Sequence, residues 1–356
     1  MSGGWKIGLY EGEPYVSGEQ PSRPVIKLNT NENPYPPSPN VIRAIRELDT
    51  DSLRLYPKQD GGDLRLALAA HYEVSKENVF VGNGSDEVLA LAFRACFGTG
   101  KPVLFADVTY SFYPVWCSFF GIPYEIFPLN EDFLPVARDY MRPNGGIVLC
   151  DPNAPTGIGM GNEFLREILD ANQDSVVIVD AAYADFAEEN AVPLVSEYPN
   201  LLVTGTFSKS RSLAGLRIGF AIGSREIIRA LMSAKDSFNS YPLDRAAIVA
   251  GEAAAADEEY FRMTTDRIKL TRDETEEKLR ELGFGATKSQ TNFIFAGCGS
   301  PQRAKDLFEY LRSQDIFVRY FDKPRINDRL RISVGRPEEM EALITEIEAF
   351  LKTERG

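Results

Sequence analysis

The sequence of 356 residues contains little histidine or cysteine and no long hydrophobic run. Its one histidine, His71, argues against catalysis by a histidine-dependent triad or proton shuttle. The four cysteines, Cys96, Cys117, Cys150 and Cys298, form no CxxC pair, which argues against a disulfide framework and a zinc site. No stretch approaches the ~20 apolar residues of a membrane span, and the first residues lack an apolar signal core. We therefore expect a cytoplasmic protein without a metal.

Positive charge is also in deficit. Lysine and arginine total 39 against 52 aspartates and glutamates, and the net charge of -13 argues against a nucleic-acid or anionic-membrane surface. Any cationic group that binds an anionic substrate must therefore be local. A composition of 44% hydrophobic and 26% charged residues is typical of a globular protein, and the length allows two domains.

Short apolar runs alternate with helical patterns through most of the chain. Predicted strands cover residues 79–81, 102–106, 146–150, 175–179, 201–205 and 217–222. Such alternation predicts an α/β fold with a doubly wound, mostly parallel sheet, which binds ligands at the carboxyl ends of its strands.

Three parts are expected along the chain. Residues 1–37 form an N-terminal arm, because asparagine and proline in its last part oppose regular structure. Residues 38–245 form a large domain and residues 246–356 a smaller α+β domain, with residues 38–50 able to pack against the latter. One uninterrupted helical region is predicted over residues 243–282. The small domain should then contain helices 302–313 and 337–352 and strands 292–296, 316–321 and 329–334.

A lone lysine, Lys209, follows the predicted strand 201–205 among glycines and hydroxyl residues. A lysine amine has an unperturbed pKa near ~10.4, and burial beside other cations frees its lone pair to form a Schiff base. Arg217 and the nearby hydroxyls are groups that hold phosphate. An imine-forming lysine beside a phosphate site suggests pyridoxal phosphate, although a solvated loop lysine would fit this segment equally well.

Other polar residues stand where predicted strands end. Asn153 and Asp180 should share a sheet edge with Lys209, and a buried Asp180 needs a cation or several donors. Ser85 follows the glycines at 82 and 84 at a predicted helix start, which is either an anion site or an ordinary N-cap. Tyr110 could stack on a flat ligand ring or belong to the core.

The order of Asn153, Asp180, Tyr183, Lys209 and Arg217 resembles that of the aspartate-aminotransferase-like, fold type I pyridoxal-phosphate enzymes. Within that superfamily the chain is most similar to the histidinol-phosphate aminotransferases of class II. The similar motifs lie at residues 14–15, 28–35, 54–57, 82–87, 208–209, 213–217 and 330–335. The resemblance implies an aspartate-aminotransferase-like large domain with a mostly parallel mixed sheet, plus a smaller α+β domain. It also implies transamination of histidinol phosphate and imidazole-acetol phosphate with glutamate and 2-oxoglutarate in histidine biosynthesis.

The resemblance assigns the catalytic residues and the contacts to the cofactor ring. Lys209 would bind pyridoxal 5'-phosphate covalently and then move the proton of the substrate. Asp180 would pair with the pyridine nitrogen, which keeps the ring an electron sink. Asn153 and Tyr183 would hydrogen-bond the phenolic oxygen of the ring, and Tyr110 would stack on it.

The resemblance also assigns the phosphate site and a partner. Ser85, Asp86, Ser208 and Arg217 would line the cofactor phosphate, Asp86 through its backbone N–H because its carboxylate would be repelled. Tyr56 would reach the phosphate from the neighbouring subunit, which implies a homodimer with shared active sites.

Four residues are implied in substrate binding. Arg331 would bind a substrate carboxylate, and Arg319 and Tyr15 would contact the far phosphate or second carboxylate, with Asn33 nearby. The chain departs from the family pattern at Ala181, where glutamate is common, and at residues 211–212, where an aromatic-glycine pair is common. We expect Arg211 to add charge near the cofactor phosphate.

Three other functions share parts of this pattern. An aromatic or broad-specificity aminotransferase and an O-phospho-amino-acid decarboxylase have the same motifs. A pyridoxal-phosphate sensor domain of a transcription regulator is disfavoured by the acidic charge and by the short arm, where such regulators carry a winged helix.

Overall fold

The computed structural model describes residues 9–354; residues 1–8 of the predicted arm and 355–356 of the predicted small domain lie outside this range. The strands within it are Ile26–Lys27 (β1), Val79–Asn83 (β2), Val103–Ala106 (β3), Tyr124–Phe127 (β4), Gly146–Cys150 (β5), Val177–Asp180 (β6), Leu201–Thr206 (β7), Ile218–Gly223 (β8), Gly285–Ala286 (β9), Phe293–Gly297 (β10), Ile316–Phe317 (β11), Arg319–Tyr320 (β12) and Arg329–Ser333 (β13). The α-helices are Pro39–Arg46 (α1), Gly62–His71 (α2), Gly84–Cys96 (α3), Tyr113–Phe120 (α4), Ala137–Tyr140 (α5), Gly161–Ala171 (α6), Arg225–Phe238 (α7), Arg245–Ala256 (α8), Glu258–Glu281 (α9), Pro301–Ser313 (α10) and Pro337–Thr353 (α11). Among these described helices, none combines the length and the hydropathy needed to span a membrane.

The large sheet has the strand order β2-β8-β7-β6-β5-β3-β4. Strand β8 is antiparallel to both of its neighbours, and the remaining pairs are parallel. The predicted mostly parallel α/β sheet is thus confirmed. Cys150 of β5 lies level with Asp180 of β6, which lies level with Thr204 of β7. This register places the residues that follow β5, β6 and β7 at one edge of the sheet.

The central strands are apolar throughout because helices cover both faces of the sheet. On one face, side chains of α2, α6 and α8 pack into a buried core with alternate residues of β5, β6 and β7. On the other face, α3, α4 and α7 cover the intervening residues. The edge strand β4 was not predicted, because its residues are largely exposed and lack the apolar run that marks its neighbours.

A second, antiparallel sheet has the order β12-β13-β10-β9 and forms its own core with α10 and α11. The short strand β1 pairs in parallel with β11, so the end of the predicted arm is joined to this smaller unit. The predicted strand 316–321 is in fact two strands of two residues each, β11 and β12, which pair with different partners.

The single helix predicted over residues 243–282 is wrong, because the structure has two helices that meet at Asp257. The Asp257 side chain accepts a hydrogen bond from the Tyr260 backbone amide and caps the start of α9. The break between α8 and α9 is therefore made by a capping residue and needs no proline. Helix α8 contributes Ala247 and Ile248 to the same core as Leu64 of α2. The domain division at residues 245–246 remains a prediction.

Candidate active site

A cavity of about 330 Å³ lies at the carboxyl ends of β5, β6 and β7, where the two sheets approach each other. Eleven of the fourteen predicted site residues line it: Tyr15, Ser85, Asp86, Tyr110, Asp180, Tyr183, Ser208, Lys209, Arg217, Arg319 and Arg331. The other three, Tyr56, Asn33 and Asn153, lie outside its lining. Further residues in the lining include Asn31, Thr109 and Phe321, which sequence reasoning did not select.

Lys209 lies three residues after β7, and its side chain enters the cavity. Its Nζ donates a hydrogen bond to the Thr30 carbonyl oxygen at 3.1 Å and lies 5.8 Å from the centre of the Tyr183 ring. Burial, and then the positive charge of Arg331, lowers the pKa of the Lys209 amine to about 8. About a tenth of this amine is then unprotonated at pH 7, far more than for an exposed lysine, which favours a nucleophilic role.

Asn33 supports the loop that carries Lys209. Its Nδ2 donates hydrogen bonds at 3.0 Å to the backbone oxygens of both Lys209 and Ser210. The Leu213 amide donates to the Phe207 oxygen at 3.0 Å and closes the loop. Asn33, predicted to bind substrate, thus has its amide group engaged by backbone and fixes the loop.

Asp180 ends β6 and is 3% exposed. Its carboxylate accepts hydrogen bonds from the Tyr113 hydroxyl at 2.9 Å and the Ala182 amide at 3.3 Å. Within residues 9–354 no lysine or arginine forms an ion pair with it, and burial raises the pKa of Asp180 to about 6. A buried carboxylate of this kind, facing a cavity, fits a ligand that presents a cationic N–H. Tyr113 was missed because it is one of several aromatics in α4.

Tyr183 is linked to β13 of the second sheet through Asn31. The Tyr183 hydroxyl accepts a hydrogen bond from Asn31 Nδ2 at 2.9 Å, and burial raises the pKa of Tyr183 to about 12. The backbone N–H of Asn31 donates a hydrogen bond to Ser333 Oγ at 2.8 Å. The Ser333 hydroxyl in turn donates to Asn31 Oδ1 at 2.9 Å. Asn31 adopts a left-handed conformation with φ 56°, which asparagine tolerates better than most residues. It lies within the motif at 28–35, but residue type alone did not single it out.

Asn153 is buried outside the cavity lining. Its Nδ2 donates hydrogen bonds to the Val108 oxygen at 2.9 Å and to Thr156 Oγ1 at 3.0 Å. Both hydrogens of the amide group are engaged in these two contacts. In this arrangement the Asn153 side chain has no free N–H for the predicted hydrogen bond to the phenolic oxygen of the cofactor ring.

The amino end of α3 and Arg217 form one end of the cavity. Gly84 has φ +78°, and a Cβ atom there would lie 2.4 Å from Arg217 Nη2. A Cβ on Gly219 would lie within 2.3–2.5 Å of backbone atoms of Gly84 and Ser85. Glycine at both positions therefore lets the guanidinium lie over the free amides of the helix start, which is an anion-binding arrangement.

Asp86 engages this end through its carboxylate. Oδ2 lies 3.2 Å from Arg217 Nη2, and Oδ1 accepts a hydrogen bond from the Tyr110 hydroxyl at 2.9 Å. The carboxylate therefore orients both Arg217 and Tyr110. The contact of the Asp86 backbone N–H with the cofactor phosphate stays a prediction. Ser208 Oγ accepts a hydrogen bond from Thr206 Oγ1 at 2.9 Å and faces the same end.

Arg331 and Arg319 form the opposite end of the cavity. Arg331 Nη2 donates to the Asn29 oxygen at 2.9 Å, while its buried Nε has no hydrogen-bond partner among the described residues. Arg319 donates to the Val16 and Ser17 oxygens of the arm at 3.1 and 3.2 Å. A buried guanidinium N–H without a partner fits an anionic ligand, because arginine binds carboxylate and phosphate bidentately.

The aromatic residues that contact Tyr15 of the arm come from the segment just before α4. Tyr15 stacks on Phe112 with ring centres 4.5 Å apart, and its ring also lies 5.9 Å from that of Tyr110. Tyr15 thus closes the cavity of its own chain.

Two further residues do not line the cavity of their own chain. Tyr56 is 79% exposed and stacks on Tyr241 with ring centres 4.6 Å apart, so it contributes nothing to the cavity of its own chain. The expectation that Arg211 adds charge near the phosphate is wrong. Its guanidinium is buried against Phe207 and Phe261 and does not line the cavity.

The cavity therefore combines four features that fit the cofactor expected from the sequence. It has a lysine amine of lowered pKa, a buried carboxylate that lacks a cation, an anion-binding helix start and aromatic side chains. Opposite the helix start it has two arginines for a second anion.

Comparison with known proteins agrees with this geometry. The family model of class I and II aminotransferases matches residues 23–347. The histidinol-phosphate aminotransferase of Chromohalobacter salexigens is 51% identical over 99% of this chain and 100% of its own length, and that of Clostridium botulinum is 47% identical over 99% of both. The crystal structure of histidinol-phosphate aminotransferase from Sinorhizobium meliloti in complex with pyridoxal-5'-phosphate is 26% identical, with a TM-score of 0.83 over 91% of this chain and 90% of that chain. The chain belongs to the class I and II aminotransferase family.

Proposed function

We propose that this aminotransferase uses pyridoxal phosphate to move the amino group of histidinol phosphate to 2-oxoglutarate, giving imidazole-acetol phosphate and glutamate in histidine biosynthesis. The names of the full-length relatives support this choice of substrate. The observation that carries it is the place of Lys209 in one cavity between two anion-binding ends, with Arg217 at one end and the pair Arg319 and Arg331 at the other.

When bound, pyridoxal phosphate supplies an electron sink for negative charge at the α-carbon of the substrate. Lys209 Nζ would hold the cofactor through its aldehyde carbon and, when free, would take up the proton from the substrate α-carbon. Asp180 would accept the N–H of the ring and keep that nitrogen protonated. Ser85, Ser208 and Arg217 would hold the phosphate through N–H, O–H and guanidinium donors.

The arginine pair serves both substrates in turn. Histidinol phosphate presents a phosphate at its far end, and glutamate presents carboxylates, so both need cationic groups opposite the cofactor phosphate. Arg331 supplies its unpartnered Nε, and Arg319 supplies a second guanidinium on the adjacent strand. Tyr15 lines the same cavity.

We also propose that the enzyme is a homodimer whose subunits share their active sites, and that it works in the cytoplasm. Tyr56 is exposed outside its own cavity, beside the exposed Leu53 and Leu55, which supports its placement in the site of a second copy. Phe238, 80% exposed, adds to the apolar surface that such a copy would cover. The four free cysteines fit a reducing compartment.

The test is a half-reaction scan with the purified enzyme loaded with pyridoxal phosphate. Histidinol phosphate and glutamate should each convert the bound cofactor to its amine form, which is followed by the change in visible absorbance. Phenylalanine and O-phosphothreonine serve as comparison substrates. Absence of conversion by histidinol phosphate, together with conversion by phenylalanine or carbon dioxide release from O-phosphothreonine, would replace the proposed function by one of the two alternatives.

A further inference from the structure

Arg211 is a buried arginine two residues after Lys209, and its side chain points away from the cavity. It is 7% exposed, Nη1 donates to the Ala254 oxygen at 2.6 Å, and the guanidinium lies 4.1 Å from the centre of the Phe261 ring. Within residues 9–354 no carboxylate lies at ion-pair distance from it. A buried cation of this kind is held by hydrogen bonds and ring faces, which makes its position well defined.

His71 supplies the other polar contact of Arg211. Arg211 Nη2 lies 3.1 Å from His71 Nε2. Because a guanidinium can only donate, Nε2 accepts, and His71 is neutral with its hydrogen on Nδ1. Nδ1 in turn lies 3.3 Å from Glu258 Oε2, in the first turn of α9. The three side chains form one chain of contacts, Arg211 to His71 to Glu258.

The charges around His71 favour its neutral form. Burial and then Arg211 lower the pKa of His71, with Arg262 acting in the same direction, while Glu258 and Asp185 act in the opposite direction. A protonated ring would turn an N–H donor towards the guanidinium and break the contact.

These contacts connect the loop of residues 207–213, here called the lysine loop, to the ends of three helices. His71 is the last residue of α2, Ala254 lies in the last turn of α8, and Glu258 is the first residue of α9. Ser210, between Lys209 and Arg211, donates its hydroxyl to Asp185. Asn33 holds the loop from the opposite side.

We propose that Arg211 and His71 are positioning residues that fix Lys209 in its reactive place by anchoring the next turn of its loop. The inference rests on the proposed role of Lys209 in binding the cofactor. Neither residue touches the cavity, so both act only through the backbone of residues 209–211. A small displacement of a reacting group is costly in rate, which gives the anchor a measurable consequence.

The experiment compares Arg211→Ala, His71→Ala and His71→Gln with a matched control, Arg65→Ala. Arg65 is equally buried in the same domain and donates at 2.8 Å to the oxygens of Val79 and Lys76, far along the chain from the lysine loop. Three quantities are measured: thermal stability, kcat and KM of the glutamate half-reaction, and the pH midpoint of the rate at which cofactor-free enzyme binds pyridoxal phosphate.

Arg211→Ala and His71→Ala should lower kcat about 100-fold with little change in KM. They should also raise the pH midpoint of cofactor binding above about 8, because a loosened Lys209 is better hydrated. His71→Gln keeps an acceptor for Arg211 and should behave as the wild type. Arg65→Ala should lose thermal stability without a change in kcat or in the pH midpoint of cofactor binding.

If Arg211→Ala and His71→Ala lose stability as Arg65→Ala does but keep kcat and the midpoint, the inference is overturned. Should Arg211→Ala fail to fold, equal behaviour of His71→Ala and His71→Gln overturns it as well. The pH midpoint of cofactor binding is measured without histidinol phosphate. If the enzyme uses another amino donor, the proposed substrate is refuted but this test remains valid.

Discussion

Arg319 and Arg331 lie directly opposite each other on the antiparallel strands β12 and β13. Both guanidiniums flank the Phe321 ring, at 5.3 and 5.4 Å from its centre. Like charges placed opposite each other across a sheet repel, and burial together with Arg319 lowers the pKa of Arg331. The pair therefore contributes little to folding and becomes favourable when an anion lies between the two side chains.

Replacing Arg331 by alanine should raise KM for glutamate about 10- to 100-fold, because a hydrogen bond to a charged group contributes roughly 1.5–3 kcal/mol. The stability of the free enzyme should change little or increase, since the change removes a buried cation. Steady-state kinetics and thermal unfolding measure both. Arg319→Ala should have a smaller effect on KM, because Arg319 also holds the arm.

The control for Arg319 is Arg312→Ala. Arg312 also fixes the arm, through Glu19 Oε1 at 2.9 Å, but does not line the cavity. If Arg312→Ala raises KM as much as Arg319→Ala does, release of the arm explains the effect and direct substrate binding by Arg319 is refuted.

Asp180→Asn should lower kcat by about 100-fold or more, because the ring nitrogen of the cofactor loses the charge that keeps it protonated. The free enzyme should become more stable at pH 7. The pKa of Asp180 is about 6 in the folded state and 3.8 in an exposed aspartate, so the folded state binds the extra proton and stability falls as pH rises from about 4 to 6. Asparagine removes this cost, which is about 3 kcal/mol.

Asp151→Asn is the matched control for Asp180→Asn. Asp151 directly follows β5 and is partly buried, and desolvation raises its pKa to about 6 as well. It accepts a hydrogen bond from the Met160 amide at 2.8 Å and does not line the cavity. Both variants should gain stability above pH 6, and only Asp180→Asn should lose activity. Equal loss of activity in both would contradict the role of Asp180.

The fold and the strand-end residues could be predicted because they depend on local sequence. A buried strand is an apolar run, and the polar residue that ends it, such as Asp180, stands out at once. Tyr113 and Asn31 could not be found in this way. They lie 67 and 152 positions from their partners Asp180 and Tyr183, and only the packed chain brings them together.

The place of Arg211 could not be predicted for a similar reason. Its neighbour Ser212 adopts φ 59°, a left-handed conformation that the sequence does not indicate for serine. The chain turns there, and the buried Arg211 side chain points towards α2 and α8 instead of towards the phosphate end.

Replacing Lys209 by methionine should stabilise the cofactor-free enzyme at neutral pH. The pKa of Lys209 is lowered to about 8 from 10.5, so the unfolded chain binds more protons between these values and wild-type stability rises with pH through this window. The advantage of the variant should be about 3 kcal/mol below pH 8 and should shrink towards pH 10.5. Denaturant unfolding at several pH values measures it, and a difference that does not change with pH would contradict a buried, perturbed amine.

The shared active site can be tested by mixing two inactive variants. Lys209→Ala lacks the reactive amine, and Tyr56→Ala lacks the side chain that we place in the site of the second copy. In a mixed dimer one site carries both changes and the other carries neither, so random mixing should restore about a quarter of the sites. Reversible unfolding of the mixture, followed by the activity assay, measures the recovery.

A mixture of Lys209→Ala with Asp180→Asn is the control, because both residues line the cavity of one chain and every site in that mixed dimer remains damaged. Recovery in the first mixture and none in the second requires Tyr56 to act in the partner's site. Equal absence of recovery in both mixtures, from proteins that elute as dimers, would mean that Tyr56 acts only in its own chain or not at all. The exposure of its ring in the single chain would then need another explanation.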